Sequence, residues 1–135
     1  MQSDAQAIDD LTATFFDAFT NCSGKTPGID GLVGMFLPEA VIVKNVGGSP
    51  VPYTVEGFIE PRRALLMDGS LSEFREWETS ASTQVFGNIA QRFSRYAKTW
   101  VQNGQQCSGG GAKSLQFVRT AAGWKIASLI WDDND

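Results

Sequence analysis

Arg62 and Arg63 stand in a segment whose other residues are apolar at helical spacing. Phe58, Ile59, Leu65 and Leu66 recur at that period, and Arg62 lies four after Phe58 and four before Leu66. This puts Arg62 near the middle of an apolar helix face and Arg63, four after Ile59, on its edge. A buried guanidinium must find an anion or several acceptors, because an unpaired charge out of water is costly. Two arrangements meet that need. One is an anion clamp at a pocket, holding a carboxylate or an enolate. The other is an ion pair with Glu56, Glu60 or Glu76, or a stem that carries the charge out to the rim. Pro61 bears on the choice, since a helix that starts or bends there changes phase.

The remaining chemistry is narrowed by one absence. The chain has no histidine, which removes Ser-His-Asp and Cys-His catalysis and ordinary zinc or non-haem iron sites. A proton-transfer enzyme would need a buried carboxylate such as Asp17 or Glu56 as its base, with Arg62 steadying the enolate. Glu76 and Glu78 flank Trp77 on a predicted strand and read as a solvated pair. Tyr96 fits either a pocket donor or a contact between subunits. Asp132, Asp133, Asn134 and Asp135 read as a polar tail without the enclosure a metal site needs. Ser108-Gly109-Gly110-Gly111-Ala112-Lys113-Ser114 has a superficial phosphate-loop look. It has Ala112 and Cys107 where glycines belong, and a strand follows it, so it reads as a flexible hairpin loop. No metal and no cofactor are expected.

The elements that must position these residues are legible in outline. Ser3 with Gln6 forms a capping box ahead of an amphipathic helix to about Thr20, with Ile8, Leu11, Phe15 and Phe19 on one face. Ile29, Leu32, Val33 and Phe36 predict a second, shorter helix that Pro38 stops. Ala40 to Val46 and Tyr53 to Val55 read as a short hairpin, and a third helix falls between Glu56 and Met67. Long strands follow at Phe74 to Phe86, Ile89 to Gln102, Ala112 to Thr120 and Trp124 to Asp132, separated by turns that include Asn103 to Gly111. Helices first and a meander of strands last is an α+β order.

With 135 residues the chain fits one domain, 1–135, with a single core. The net charge of -4 disfavours nucleic acid and anionic membranes as partners. No apolar run reaches the length of a membrane span, and Met1-Gln2-Ser3-Asp4 lacks the start of a signal peptide. A cytoplasmic location with Cys22 and Cys107 as free thiols is the expectation, a disulfide requiring the fold to bring them together.

This element order resembles the nuclear transport factor two-like superfamily. Leu32-Val33-Gly34-Met35-Phe36-Leu37-Pro38-Glu39-Ala40-Val41 looks like its second helix running into its first strand. Phe117-Val118-Arg119 with Gly123-Trp124-Lys125-Ile126 is similar to its closing hairpin. Pro61-Arg62-Arg63-Ala64-Leu65-Leu66 and Trp131-Asp132-Asp133 resemble a bacterial SnoaL-like subgroup of unsettled function. The resemblance implies a cystatin-like cone, with three N-terminal helices packed in a strongly bent mixed or antiparallel sheet. It also implies a pocket open at one end and a homodimer through the outer sheet face. It turns Leu129 and Trp131 toward the cavity, together with Ser114, Gln116 and Val118.

Ketosteroid isomerase shares that fold, and its oxyanion hole uses a tyrosine and a protonated aspartate beside an aspartate base. The corresponding places here hold Phe15, Gln116 and the neighbourhood of Lys44, so that mechanism is not expected. Three readings remain open. The first is a binding pocket for a small apolar or amphipathic ligand with an anionic group, built from Phe15, Phe19, Arg62, Arg63, Tyr96, Gln116 and Trp131. The second is a cofactor-independent isomerase, lyase or cyclase. The third is an interaction module that works through the outer sheet face.

Overall fold

A computed structural model describes residues 2–134 of the chain. Helix α1, Asp4–Asp17, opens where expected: Ser3 Oγ accepts a hydrogen bond from the Gln6 N–H at 3.2 Å. Ile8, Thr12, Phe15 and Phe16 form its buried face. The second predicted helix is a 3₁₀ segment, Ile29–Met35. Gly31 and Gly34 weaken an α-helix there, and only Ile29 and Leu32 are buried.

Strand β1, Phe36–Lys44, begins directly after it and contains Pro38. The register of β1 against its neighbour shifts between Phe36 and Val41, so the missing Pro38 N–H falls in an irregular stretch. Strand β2, Val51–Tyr53, leads into helix α2, Val55–Met67. Thr54 caps α2 by accepting from the Gly57 N–H at 2.9 Å, and the helix runs through Pro61. Its phase is therefore continuous from Phe58 to Leu66.

Four long strands complete the chain: β3 Ser72–Phe86, β4 Ile89–Gln102, β5 Gln105–Thr120 and β6 Gly123–Asp132. They form a six-stranded mixed sheet in the order β2-β1-β6-β5-β4-β3. β1 runs parallel to β6 and every other neighbouring pair is antiparallel. The helices pack against one face of this sheet, and an aromatic core fills the space between. Phe15 meets Phe19 and Phe36 edge to face, Phe58 meets Phe19, Phe36 and Trp131, and Tyr53 stacks on Trp131.

Two local features depart from the sequence expectation. The β4–β5 connection is not a loop from Asn103 to Gly111 but a two-residue turn, Asn103-Gly104, with both φ positive (54° and 74°). Asn-Gly suits that turn because its twist matches the flanking strands. The glycine run 109–111 is consequently part of β5, paired with Lys98, Ala97 and Tyr96. The second feature is a bulge in β6. Gln116 pairs with Ser128 while Phe117 pairs with Ile126, which leaves Ala127 without a partner. Both Ile126 and Leu129 then face the core, and strict alternation along the strand fails.

Candidate functional site

The concave side of the sheet and helix α2 enclose a cavity of about 340 Å³. Its walls are largely apolar, with Phe15, Phe19 and Phe58 from the helices and Phe74, Trp100 and Trp131 from the sheet. Four cations, Lys44, Arg62, Lys98 and Lys113, line it against two carboxylates, Glu76 and Asp133. The described lining thus carries a positive excess inside a chain that is acidic overall.

Arg62 projects from α2 into a cage of rings. Its Cζ lies 4.2 Å from the Phe58 ring centre, 5.3 Å from Tyr53 and 5.4 Å from Trp131. Cation–π attraction to these faces offsets part of the desolvation cost. Its hydrogen bond is to the Phe58 carbonyl oxygen, 3.0 Å from Nη1, and among the described residues it has no salt bridge. Burial pushes its pKa down, with partial compensation from Tyr53 and from the more distant Glu76 and Asp133.

Arg92 shows what a satisfied buried arginine looks like in the same molecule. It donates to both oxygens of Glu78, to Asp9 Oδ1 at 2.6 Å and to Thr83 Oγ1 at 2.8 Å. Glu78 also accepts from Ser94 Oγ at 2.6 Å. Glu78 therefore belongs to a closed ion network rather than to a solvated surface pair. Among the described residues, no carboxylate takes the remaining donors of Arg62.

Glu76 also turns inward. It lies 3.4 Å from Lys113 Nζ, and both side chains are more than nine-tenths buried. Lys113 projects from β5 over the Tyr96 ring at 4.0 Å and over Trp131 at 5.4 Å. Desolvation lowers its pKa, and the attraction of Glu76 and Asp133 pulls the other way without restoring it. Beside this pair the Tyr96 hydroxyl donates to Asp133 Oδ1, and Lys98 Nζ lies 3.2 Å from Asp133 Oδ2. Burial and the Asp133 contact hold the Tyr96 hydroxyl protonated, far above its ordinary range. Gly111 makes this corner possible. A Cβ there would sit 2.1 Å from the Asp132 carbonyl oxygen and 2.8 Å from the Tyr96 hydroxyl.

The residues singled out from the sequence are thus partly brought together. Phe15, Phe19, Arg62 and Trp131 line the cavity, and Tyr96 backs it through Asp133. Arg63 points away, 2.7 Å from Asp30 and also paired with Glu60. Gln116 is on the outer face of the sheet, where its Oε1 accepts from Ser128 Oγ at 3.0 Å. The expectation that Ser114, Gln116 and Val118 face inward is corrected by the register. Leu115 pairs with Leu129 and Lys113 with Trp131, so the odd-numbered residues of this stretch face the core.

Asp17 and Glu56, the candidate bases, are both exposed, Asp17 lying 2.5 Å from Lys25 Nζ. The terminal acidic cluster contributes Asp133 to the cavity, while Asp135 lies outside the described residues. The sequence places Glu76 on a solvated surface or against Arg62, and Lys113 in a hairpin loop, whereas the structure pairs the two at the cavity wall. The signal for Lys113 was its shared face with Leu115 and Phe117; for Glu76 it was its shared face with Phe74. Among the described residues no three His, Cys, Asp or Glu side chains converge to hold a metal ion, and Cys22 and Cys107 are free thiols. No helix there is long and apolar enough to cross a membrane.

No family model matches the chain, and no curated protein matches it. Solved structures do. The Kfla4162 protein of Kribbella flavida superposes with a TM-score of 0.80 at 17% identity, over 98% of this chain and 91% of that one. A nuclear transport factor 2-like superfamily protein of Salmonella enterica gives 0.77 at 17% identity, over 98% and 92%. An NTF2-like protein with a cystatin-like fold from Novosphingobium aromaticivorans gives 0.72 at 18%, over 98% and 82%. The chain has the NTF2-like, cystatin-like fold. In that fold the NTF2-like cone supplies the curved sheet, and this chain's own residues supply the chemistry of the cavity.

Proposed function

We propose that the protein binds a small, mainly apolar carboxylate in the cavity, with Arg62 reading the anionic end. The observation that carries this is the state of Arg62: a guanidinium at the cavity wall, half-caged by Phe58, Tyr53 and Trp131, with no carboxylate partner among the described residues. A carboxylate ligand would supply the missing charge-assisted hydrogen bonds, which are strong in a water-poor site. The positive excess of the lining favours the same ligand class, and the aromatic walls favour an apolar body. Two free cysteines suit a reducing cytoplasm as the place where it works.

A thermal-shift screen of hydrophobic carboxylates on the wild type and on Arg62→Ala tests this. A ligand at a hundred times its dissociation constant adds about 2.7 kcal/mol, a shift of several degrees. The reading requires that shift in the wild type and its loss in the variant.

A second reading concerns assembly. The outer sheet face exposes Phe86 (83%), Ile89 (59%) and Phe93 (53%), and Phe93, Ser114 and Ile130 are paired in one row across β4, β5 and β6. Exposed apolar side chains on one sheet face fit a homodimer interface through the sheet.

A further inference from the structure

Lys113 is the one buried lysine among the described residues. It is also at the wall of the cavity, so a bound molecule can reach it. The groups facing it are known from every side. Glu76 comes from β3, Tyr96 and Lys98 from β4, Asp133 from the end of the chain, and Arg62 from α2 across the same cavity. Arg62 and Lys113 both approach the Trp131 indole, each 5.4 Å from its ring centre. One is a donor that holds a carboxylate. The other is an amine beside a carboxyl group.

An ammonium and a carboxylate at 3.4 Å in an apolar site can exchange a proton and become a neutral amine and a carboxylic acid. Desolvation of Lys113 and the nearby Lys98 both favour that neutral form, against Glu76 and Asp133. A neutral lysine amine in a hydrophobic pocket is the nucleophile that carbonyl chemistry needs.

We infer that Lys113 captures carbonyl compounds, forming an imine with the keto group of an apolar oxo-carboxylic acid whose carboxylate Arg62 holds. This rests on the carboxylate pocket proposed above. The Lys113 nitrogen lone pair forms a bond to the carbonyl carbon, and the C=O π pair moves to oxygen. That oxygen gains a proton and the nitrogen loses one, giving a carbinolamine. The Glu76 carboxyl then protonates the carbinolamine hydroxyl, which leaves as water while the nitrogen lone pair closes the C=N bond. One amine, one ketone and the Glu76 proton become one iminium and one water, with no redox change. Glu76 is left as the carboxylate beside a cationic iminium. Arg62 and the aromatic wall select the substrate class.

The test is reductive trapping. Full-length protein is incubated with phenylpyruvate and sodium cyanoborohydride at neutral pH, and the adduct is located by peptide mass mapping. The expected result is a single adduct on the Lys113 peptide, absent in Lys113→Arg and suppressed by excess hydrocinnamate. At subsaturating phenylpyruvate, Arg62→Ala should lower its yield about tenfold. No adduct, or labelling spread over exposed lysines such as Lys25, overturns the inference. The wild-type map decides this even if Lys113→Arg does not fold. Thermal shift with hydrocinnamate, which has no carbonyl, separates the two proposals. An Arg62-dependent shift without an adduct removes the imine and leaves the carboxylate pocket, whereas neither shift nor adduct removes both.

Discussion

Lys113 Nζ faces Glu76 Oε1 across 3.4 Å, from β5 to β3, with both side chains more than nine-tenths buried. Lys98 of β4 lies beside them, paired across the ladder with Glu76. Breaking such a pair from one side leaves an uncompensated buried charge, at a cost of about 3–5 kcal/mol. Removing both partners leaves none. In urea unfolding, Lys113→Met and Glu76→Gln should each lose stability in that range. The double variant should lose much less than their sum, and additive losses would show that the two groups act separately.

Gly111 should tolerate no side chain. Its Cβ would fall 2.1 Å from a backbone oxygen of Asp132, which cannot rotate away. Gly111→Ala should cost about 1–3 kcal/mol or more through forced displacement of the chain end. Gly109, two residues earlier on the same strand, has its nearest neighbour at 3.4 Å, the flexible Cε of Lys98. Gly109→Ala should be neutral or gain up to about 1 kcal/mol from reduced unfolded-state entropy. Equal effects at the two positions would contradict the close approach.

Asp133 should make stability fall in acid. Burial alone would raise its pKa, but the hydrogen bond from Tyr96 and the charge of Lys98 win, and the folded value lies below the ordinary one. A depressed carboxylate stabilises the fold above its unfolded pKa, and that contribution is lost as pH falls through the folded value. Below about pH 4 the wild type should therefore lose stability more steeply than Asp133→Asn. Parallel urea midpoints across that window would contradict the assignment.

The outer face gives a separate test. Phe93→Glu places a charge on an exposed position of the outer sheet face, so folding stability should change by about 0.5 kcal/mol or less. Light scattering should show the wild type at twice the chain mass and the variant at the chain mass. A wild type that is monomeric at all accessible concentrations would contradict the dimer.

Much of this fold is legible from local patterns. The Ser3–Gln6 cap, the apolar spacing of Ile8 and Phe15, and the α2 face from Phe58 to Leu66 are each fixed by residues close in sequence. The order of elements follows from them. Arg62 stood out because one polar side chain broke an otherwise apolar helical face. The inward face of β5 was harder to read. The face of β5 is set by its own alternation, with Lys113, Leu115 and Phe117 buried and Leu115 opposite Leu129, while the bulge at Ala127 reverses the phase of β6 alone. No residue type marks that bulge. Glu76 and Asp133 come from distant parts of the chain, and each looks like surface until the sheet curves them onto Lys113 and Tyr96. The Asn103-Gly104 turn was legible, but the glycines after it obscured where the loop ended.

The central claim is that Arg62 is kept for a ligand rather than for the fold. Isothermal titration with hydrocinnamate, alongside urea unfolding of the same samples, tests it most directly on the wild type and Arg62→Met. The account predicts that Arg62→Met binds at least about tenfold more weakly, because a charge-assisted hydrogen bond is lost. It also predicts that the variant is as stable as the wild type or up to about 2 kcal/mol more stable, since a part-buried charge with no carboxylate partner among the described residues has been replaced by an apolar chain of similar length. Unchanged binding in Arg62→Met, or a variant several kcal/mol less stable, would contradict it and return Arg62 to a structural role.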